Sequence, residues 1–163
     1  MKYCPECKSS LATKNIDGIE RLCCDAKDCD FVEWQNPVPV VAALVVYHNK
    51  LLLARNTLWP EGMYSMISGY LERSEAPELA ISRELNEELG LTASNVRFIG
   101  HYPFPKKNQL IIAYAIIANG NIALGQELAE VQMIELSELD HLKLENLELT
   151  ARIVSDWRNL TGL

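Results

Sequence analysis

The chain has 163 residues, with 15 Lys+Arg against 22 Asp+Glu and a formal charge of −7. At 48% apolar and 23% charged, it has room for one globular domain of ordinary size with a small appendage, and it is neither disordered nor fibrous. Its longest apolar stretches, residues 38–47 and 110–118, are about half of what a membrane-spanning helix needs, and its acidity repels duplex nucleic acid. One kind of anionic ligand remains compatible with that charge: a phosphate bridged to protein carboxylates by a divalent cation. Met1-Lys2-Tyr3-Cys4-Pro5 lacks the apolar core of a secretory signal, so a cytoplasmic protein is expected.

All five cysteines fall in the first 29 residues. Cys4-Pro5-Glu6-Cys7 is followed by a polar stretch with the turn signal Asp17-Gly18, and then by Cys23-Cys24 and Cys29. Two close pairs separated by a hairpin-sized insert are how a chain wraps four thiolates around one zinc ion. Cys4, Cys7, Cys24 and Cys29 are the expected ligands of a structural Zn²⁺, since four thiolates leave no coordination position open. Cys23 and Cys24 could exchange in that role. Disulfides fit poorly with an odd count and a cytosolic setting. Residues 1–36 also carry too few apolar side chains to form a core without a metal. They are expected to be a zinc ribbon, with residues 37–163 as the main domain.

After Asn36-Pro37 the texture changes. Residues 38–47 and 50–55, interrupted by His48-Asn49, predict a hairpin whose first strand is deeply buried. Residues 64–68 predict a short strand ending at Gly69. Residues 76–89 predict a helix, with Pro77 in its first turn, Ser74 or Glu75 as cap and Gly90 as stop. Residues 96–102, 109–118 and 131–136 read as further strands. Residues 147–160 carry Leu147, Ala151, Val154 and Trp157 at helical spacing and predict a closing helix. The expected class is α/β: a mixed-sheet sandwich with helices on both faces, preceded by the ribbon.

The predicted helix 76–89 places Glu84, Glu87 and Glu88 within about 100° of arc, beside an apolar stripe of Ile81, Leu85 and Leu89. Like charges at these spacings each cost roughly 0.2–0.5 kcal/mol, and acids near a helix C-terminus oppose its dipole. A hard divalent cation would reverse that sign. A solvated acidic face with Arg83 as local counter-ion is the alternative. The full spacing decides between them. It reads Gly69-x5-Glu75-x7-Arg83-Glu84-Leu85-x-Glu87-Glu88-x-Gly90-Leu91 and matches the signature of the Nudix hydrolases at every fixed position.

The resemblance implies hydrolysis of a nucleoside diphosphate linked to another moiety. It implies that Glu84, Glu87 and Glu88 ligate Mg²⁺ or Mn²⁺ with help from the Gly69 carbonyl, and that Glu75 and Arg83 orient the cluster. A carboxylate would take the proton of the attacking water. Loss of Glu88 should then abolish turnover more completely than it weakens binding.

Outside this segment, Cys4/Cys7, Arg21-Leu22-Cys23-Cys24, Cys29, Gln35-Asn36-Pro37 and Gly62-Met63-Tyr64-Ser65 look like the zinc-ribbon branch of the family, which includes NADH pyrophosphatases. The Cys24-x4-Cys29 knuckle is wider than that branch's usual gap. Those pyrophosphatases carry a Ser-Gln-Pro-Trp-Pro-Phe-Pro-x-Ser array, and here residues 101–109 keep only its Pro103-Phe104-Pro105 core.

Tyr102 and Phe104 could stack on a base or a nicotinamide ring, and Lys106 and Lys107 could meet phosphate. Packing at a strand edge is the alternative for the two aromatics. The family comparison marks Glu130 as a further metal-ligating acid, with Glu127 as fallback. The expected substrate is a dinucleotide such as NADH or ADP-ribose, with FAD also in range, acted on by a homodimer. Two other functions fit less of the sequence: a catalytically weak nucleotide-binding regulator, and a processing enzyme for NAD-capped RNA. His101 could move a proton, although a loop histidine among prolines carries little argument. His48 and His141 are assigned nothing, and Trp34 is assigned to packing.

Overall fold

The computed structural model describes residues 1–141 and 148–162. The chain divides into two compact units, Met1–Pro37 and Val38–Leu163.

The first unit is a three-stranded antiparallel sheet of β1 (Leu11–Ile16), β2 (Ile19–Cys24) and β3 (Val32–Glu33), in that order. Asp17 and Gly18 both have positive φ, the conformation of the two-residue turn that matches strand twist, and Asn15 Oδ1 accepts the Gly18 N–H at 3.0 Å. The unit buries three apolar side chains, and all three are cysteines: Cys4, Cys23 and Cys24.

The second unit is a mixed sheet covered by two helices. Its strands are β4 (Val38–Tyr47), β5 (Lys50–Asn56), β6 (Ile67–Tyr70), β7 (Thr92–Phe104), β8 (Gln109–Asn119) and β9 (Leu128–Glu135). They follow the order β7-β8-β4-β5-β9, with β6 also on β4. β4 is the axis of this sheet. One edge pairs in parallel with β8 along nearly its whole length, while the other is shared between β6 (residues 40–43) and β5 (residues 45–47).

Its side chains alternate between two cores. Val41, Ala43 and Val45 pack with Ala80, Ile81, Leu85 and Leu89 of helix α1 (Pro77–Leu89). Val40, Ala42 and Leu44 pack with Ile153, Val154 and Trp157 of helix α2 (Glu148–Thr161). A strand buried on both faces has no polar alternation, which is why residues 38–47 read as one apolar run.

Several boundaries differ from the sequence reading. β6 begins at Ile67 and runs through Gly69 to Tyr70, while Ser65 contributes only a bridge to Ala54. β7 is longer than predicted and, as the sheet's edge strand, accommodates Pro103 within it. α1 starts at Pro77 after Ala76, with no side-chain cap; Glu75 faces Arg83 instead. Gly90 ends α1 in the left-handed region at φ 67°. α2 buries Val154 and Trp157 of the predicted stripe and adds Thr150 and Ile153, while Ala151 is half-buried and Leu147 lies outside the described residues.

Candidate functional site

The segment from Gly69 to Gly90 forms strand end, loop and helix around one guanidinium. Arg83 Nε donates to Glu75 Oε1 at 2.9 Å and Nη2 to Glu75 Oε2 at 3.0 Å. From Nη1 it donates to Glu84 at 2.8 Å and to Glu87 at 3.0 Å, and Nη2 also reaches the Tyr70 carbonyl at 3.1 Å. The planar fork suits this bidentate grip on Glu75. Hydrogen bonding to Arg83 holds the Glu75 carboxyl below the usual range. Glu75 also accepts the Glu72 N–H at 2.9 Å, so the loop before α1 and the middle of α1 are tied to one group.

Glu84 turns inward over β6. A Cβ added at Gly69 would overlap the Glu84 carboxylate, so the residue there must be glycine for these two groups to meet. Glu88, a turn further on, is pushed up to about 8 by burial and then by the charges of Glu84, Glu127 and Glu87. The segment joining β8 to β9 caps the same end of α1. Ala123 N–H donates to Leu89 O and Gly125 N–H to Glu88 O, each at 2.8 Å. A Cβ at Gly125 would come within 2.5 Å of Glu87 O, so this close cap also requires glycine. The cap satisfies carbonyls at the negative end of the helix and brings Glu127 alongside Glu88.

Glu130 is placed elsewhere. Ala54 and Val131 pair across β5 and β9 and face the α1 core, so the neighbouring pair Arg55 and Glu130 faces the α2 side. Glu130 accepts from Arg55 Nε at 2.6 Å and hydrogen-bonds Tyr64. Among the described residues outside α1, Glu127, the sequence fallback, is the acid whose charge acts on Glu88.

Tyr102 also departs from its expected place. Its ring is buried in the α2-side core, its hydroxyl donates to Asp156 at 2.7 Å, and Arg152 lies over it at 5.3 Å. A ring enclosed this way is not available to stack on a base, which corrects that reading. Phe104 is half-buried beside the same core, and Lys106 and Lys107 are exposed on the turn after β7. His101 is exposed, with its ring 4.8 Å from that of Phe98. Sequence reasoning missed Tyr70, an exposed ring next to Gly69 whose hydroxyl accepts from Gln109 at 3.0 Å. An aromatic directly after Gly69 was the available signal.

In the first unit the Sγ atoms of Cys4, Cys7, Cys24 and Cys29 lie within 4.8 Å of one another, with Cys7–Cys24 at 3.4 Å and Cys4–Cys29 at 3.7 Å. Four thiolates about 2.3 Å from a tetrahedral zinc would stand about 3.8 Å apart, so this donor set fits such an ion. Hydrogen bonds from Ser9 bring the Cys7 thiol down to about 6, while burial and the neighbouring sulfurs push the Cys24 and Cys29 thiols up. Cys23 points away, its Sγ 3.7 Å from Arg21 O. The exchange left open by the sequence is thereby resolved in favour of Cys24 as the member of the cluster.

A family model for the NUDIX domain matches residues 36–157, well over half of the chain. The chain belongs to the Nudix hydrolase family. Among its Nudix relatives, the mouse protein named NAD(P)H pyrophosphatase NUDT13, mitochondrial, is 30% identical over 131 residues, covering 79% of this chain and 36% of that protein. The NAD-capped RNA hydrolase NudC of Vibrio atlanticus is 29% identical over 141 residues, covering 85% of this chain and 51% of the relative. The chain thus spans between a third and a half of the length of these relatives.

Among solved structures, a NUDIX hydrolase from Nitrosomonas europaea superposes with a TM-score of 0.78 at 20% identity, over 99% of this chain and 94% of the other. The NUDIX domain of Shewanella oneidensis NrtR, solved with ADP ribose, gives 0.63 at 13% identity, over 77% and 88%. Both likenesses establish the Nudix fold for this chain: a mixed sheet between two helices.

Proposed function

We propose that the chain hydrolyses the diphosphate of a dinucleotide such as NADH or ADP-ribose, with FAD within the same class, releasing AMP and a second phosphate ester. The observation that carries this reading is the acid cluster in which Glu88 lies among Glu84, Glu87 and Glu127 while Glu84 rests on Gly69. Acids gathered this way repel one another, and a hard divalent cation with oxygen ligands reverses that penalty. Glu84, Glu87, Glu88 and Glu127, with the Gly69 carbonyl, would hold Mg²⁺ or Mn²⁺. Bound there, the cation neutralises the diphosphate and lowers the pKa of a coordinated water.

The protein's own groups supply the rest. Glu75 fixes Arg83, and Arg83 aims Glu84 and Glu87 from behind. Glu88, whose carboxyl is made more basic by burial and the neighbouring acids, accepts the proton of the attacking water at its carboxylate. Tyr70 and Phe104 offer rings to the substrate's bases, and Lys106 offers a cation to its phosphates. Residues 37–163 form the hydrolase domain. Residues 1–36 form a ribbon stapled by a structural Zn²⁺ on Cys4, Cys7, Cys24 and Cys29. The names of the mouse and Vibrio relatives support a substrate containing NAD or its reduced form. Likeness to NudC favours a second reading, in which the same site accepts the NAD cap of an RNA.

The test is incubation with Mg²⁺ or Mn²⁺ and NADH, NAD⁺, ADP-ribose, FAD or NAD-capped RNA, with E88Q as control. AMP release from NADH that disappears in E88Q is expected. Failure to cleave any of these substrates would overturn the proposal.

A further inference from the structure

The turn that leaves β5 is fastened at four points. Asn56 Oδ1 accepts the Leu58 N–H at 3.0 Å, and Asn56 O accepts the Trp59 N–H at 2.9 Å. Arg55 Nη1 donates to Trp59 O at 3.1 Å while its Nε is held by Glu130 at 2.6 Å. The fourth tie runs from Thr57 N–H to Glu127 O at 2.8 Å. The tip held in this way carries two large apolar side chains out of the core, with Leu58 90% and Trp59 38% exposed.

A single exposed leucine needs no explanation, but an exposed indole on a rigid tip is a surface with work to do. Its location identifies the work. Two residues before Trp59, the backbone is bonded to Glu127, the acid that stands beside Glu88. The tip that carries the indole is therefore tied, through its backbone, to the segment that brings Glu127 to the acid cluster. The ties fix the main chain on either side of the ring, through Asn56, Arg55 and the backbone of Glu127, so little backbone ordering is left to lose on binding.

We infer that Trp59 is a substrate-binding residue whose indole stacks on an aromatic ring of the dinucleotide, with Leu58 extending the apolar surface. This rests on the dinucleotide reading above and adds to it a specificity element outside the signature segment. Stacking is indifferent to base identity, so Trp59 contributes affinity for a flat ring rather than hydrogen-bond selection.

The experiment uses the full chain with Mg²⁺ and compares wild type, W59A and W59F on NADH and on ADP-ribose. W59A should raise KM about tenfold for at least one of them while kcat stays within about twofold, and W59F should restore most of the loss. A rise for both places the indole on adenine, and a rise for NADH alone places it on nicotinamide. Unchanged KM for both, or a fall in kcat alone, overturns the inference. The same comparison is made by calorimetry in an E88Q background, where binding is read without turnover. Weaker binding by W59A in a protein that cleaves neither compound upholds Trp59 and removes the hydrolase reading. Equal binding removes Trp59 alone, and no binding of either compound by the parent protein removes both.

Discussion

The Glu84 carboxylate lies directly on the main chain of Gly69, with no space between them for a Cβ. Gly69 comes from β6, paired with Val41 in the middle of the sheet, and Glu84 from the centre of α1. This contact sets how close the acid-bearing helix sits to β6. G69A should displace Glu84, lower kcat at least about tenfold and lower stability by about 1–3 kcal/mol, since overpacking forces side chains off their minima. Metal-dependent turnover and thermal unfolding of the same variant test both parts. Full activity in G69A would show that the contact is dispensable.

Glu88 gives a pH dependence whose sign follows from its raised pKa. In the metal-free protein it titrates near 8 rather than at the ordinary 4.5, because of burial and the neighbouring acids. The folded state keeps a proton that the unfolded chain gives up, so stability is fullest below about 4.5 and falls as pH rises through about 8. In EDTA, E88Q should unfold about 5 °C above wild type at pH 8, with the difference closing by pH 5. Mg²⁺ should raise the wild-type midpoint at pH 8 and leave E88Q nearly unmoved. Melting curves at the two pH values decide it.

Glu127 and Glu130 separate the cluster from its surroundings. E127Q should weaken the apparent Mg²⁺ affinity about tenfold or more. E130Q should leave that affinity within about twofold, because its partners are Arg55 and Tyr64 on the other face. Metal titrations of turnover distinguish them, and equal effects would contradict the geometry.

Cys23 and Cys24 differ in the same way. C24S should remove bound zinc and the structure of the first unit, since small metal-stapled modules fold with their ion. C23S should retain one zinc per chain. Metal content after dialysis and proteolysis of the N-terminal unit report on each. Zinc loss in C23S with retention in C24S would reverse the assignment.

Tyr102 is a test of packing against binding. Y102F breaks the 2.7 Å bond to Asp156 and should cost about 1–2 kcal/mol of stability while leaving KM for NADH unchanged. An increase in KM without loss of stability would return the ring to the substrate site.

How much of this was readable from the chain depends on whether a feature is set by local spacing. The N-terminal cysteines, the strand 38–47, Pro77 at the start of α1, Gly90 at its end and the order Glu75-Arg83-Glu84-Glu87-Glu88 are all fixed by positions close in sequence. Helical periodicity alone puts three acids on one patch and an apolar stripe beside it. The fold class and the family follow from that same segment.

The tertiary structure alone decided which distant groups join them. Glu127 and Glu130 are three residues apart and chemically identical, and a bulge with strand alternation sends one to Glu88 and the other to Arg55. Tyr102 and Tyr70 are both tyrosines on strands, yet one is walled in by α2 and the other is left open beside Gly69. A side chain's partner across the fold depends on register and on which helix covers which face. Those are properties of the whole packed sheet, and no window of sequence contains them.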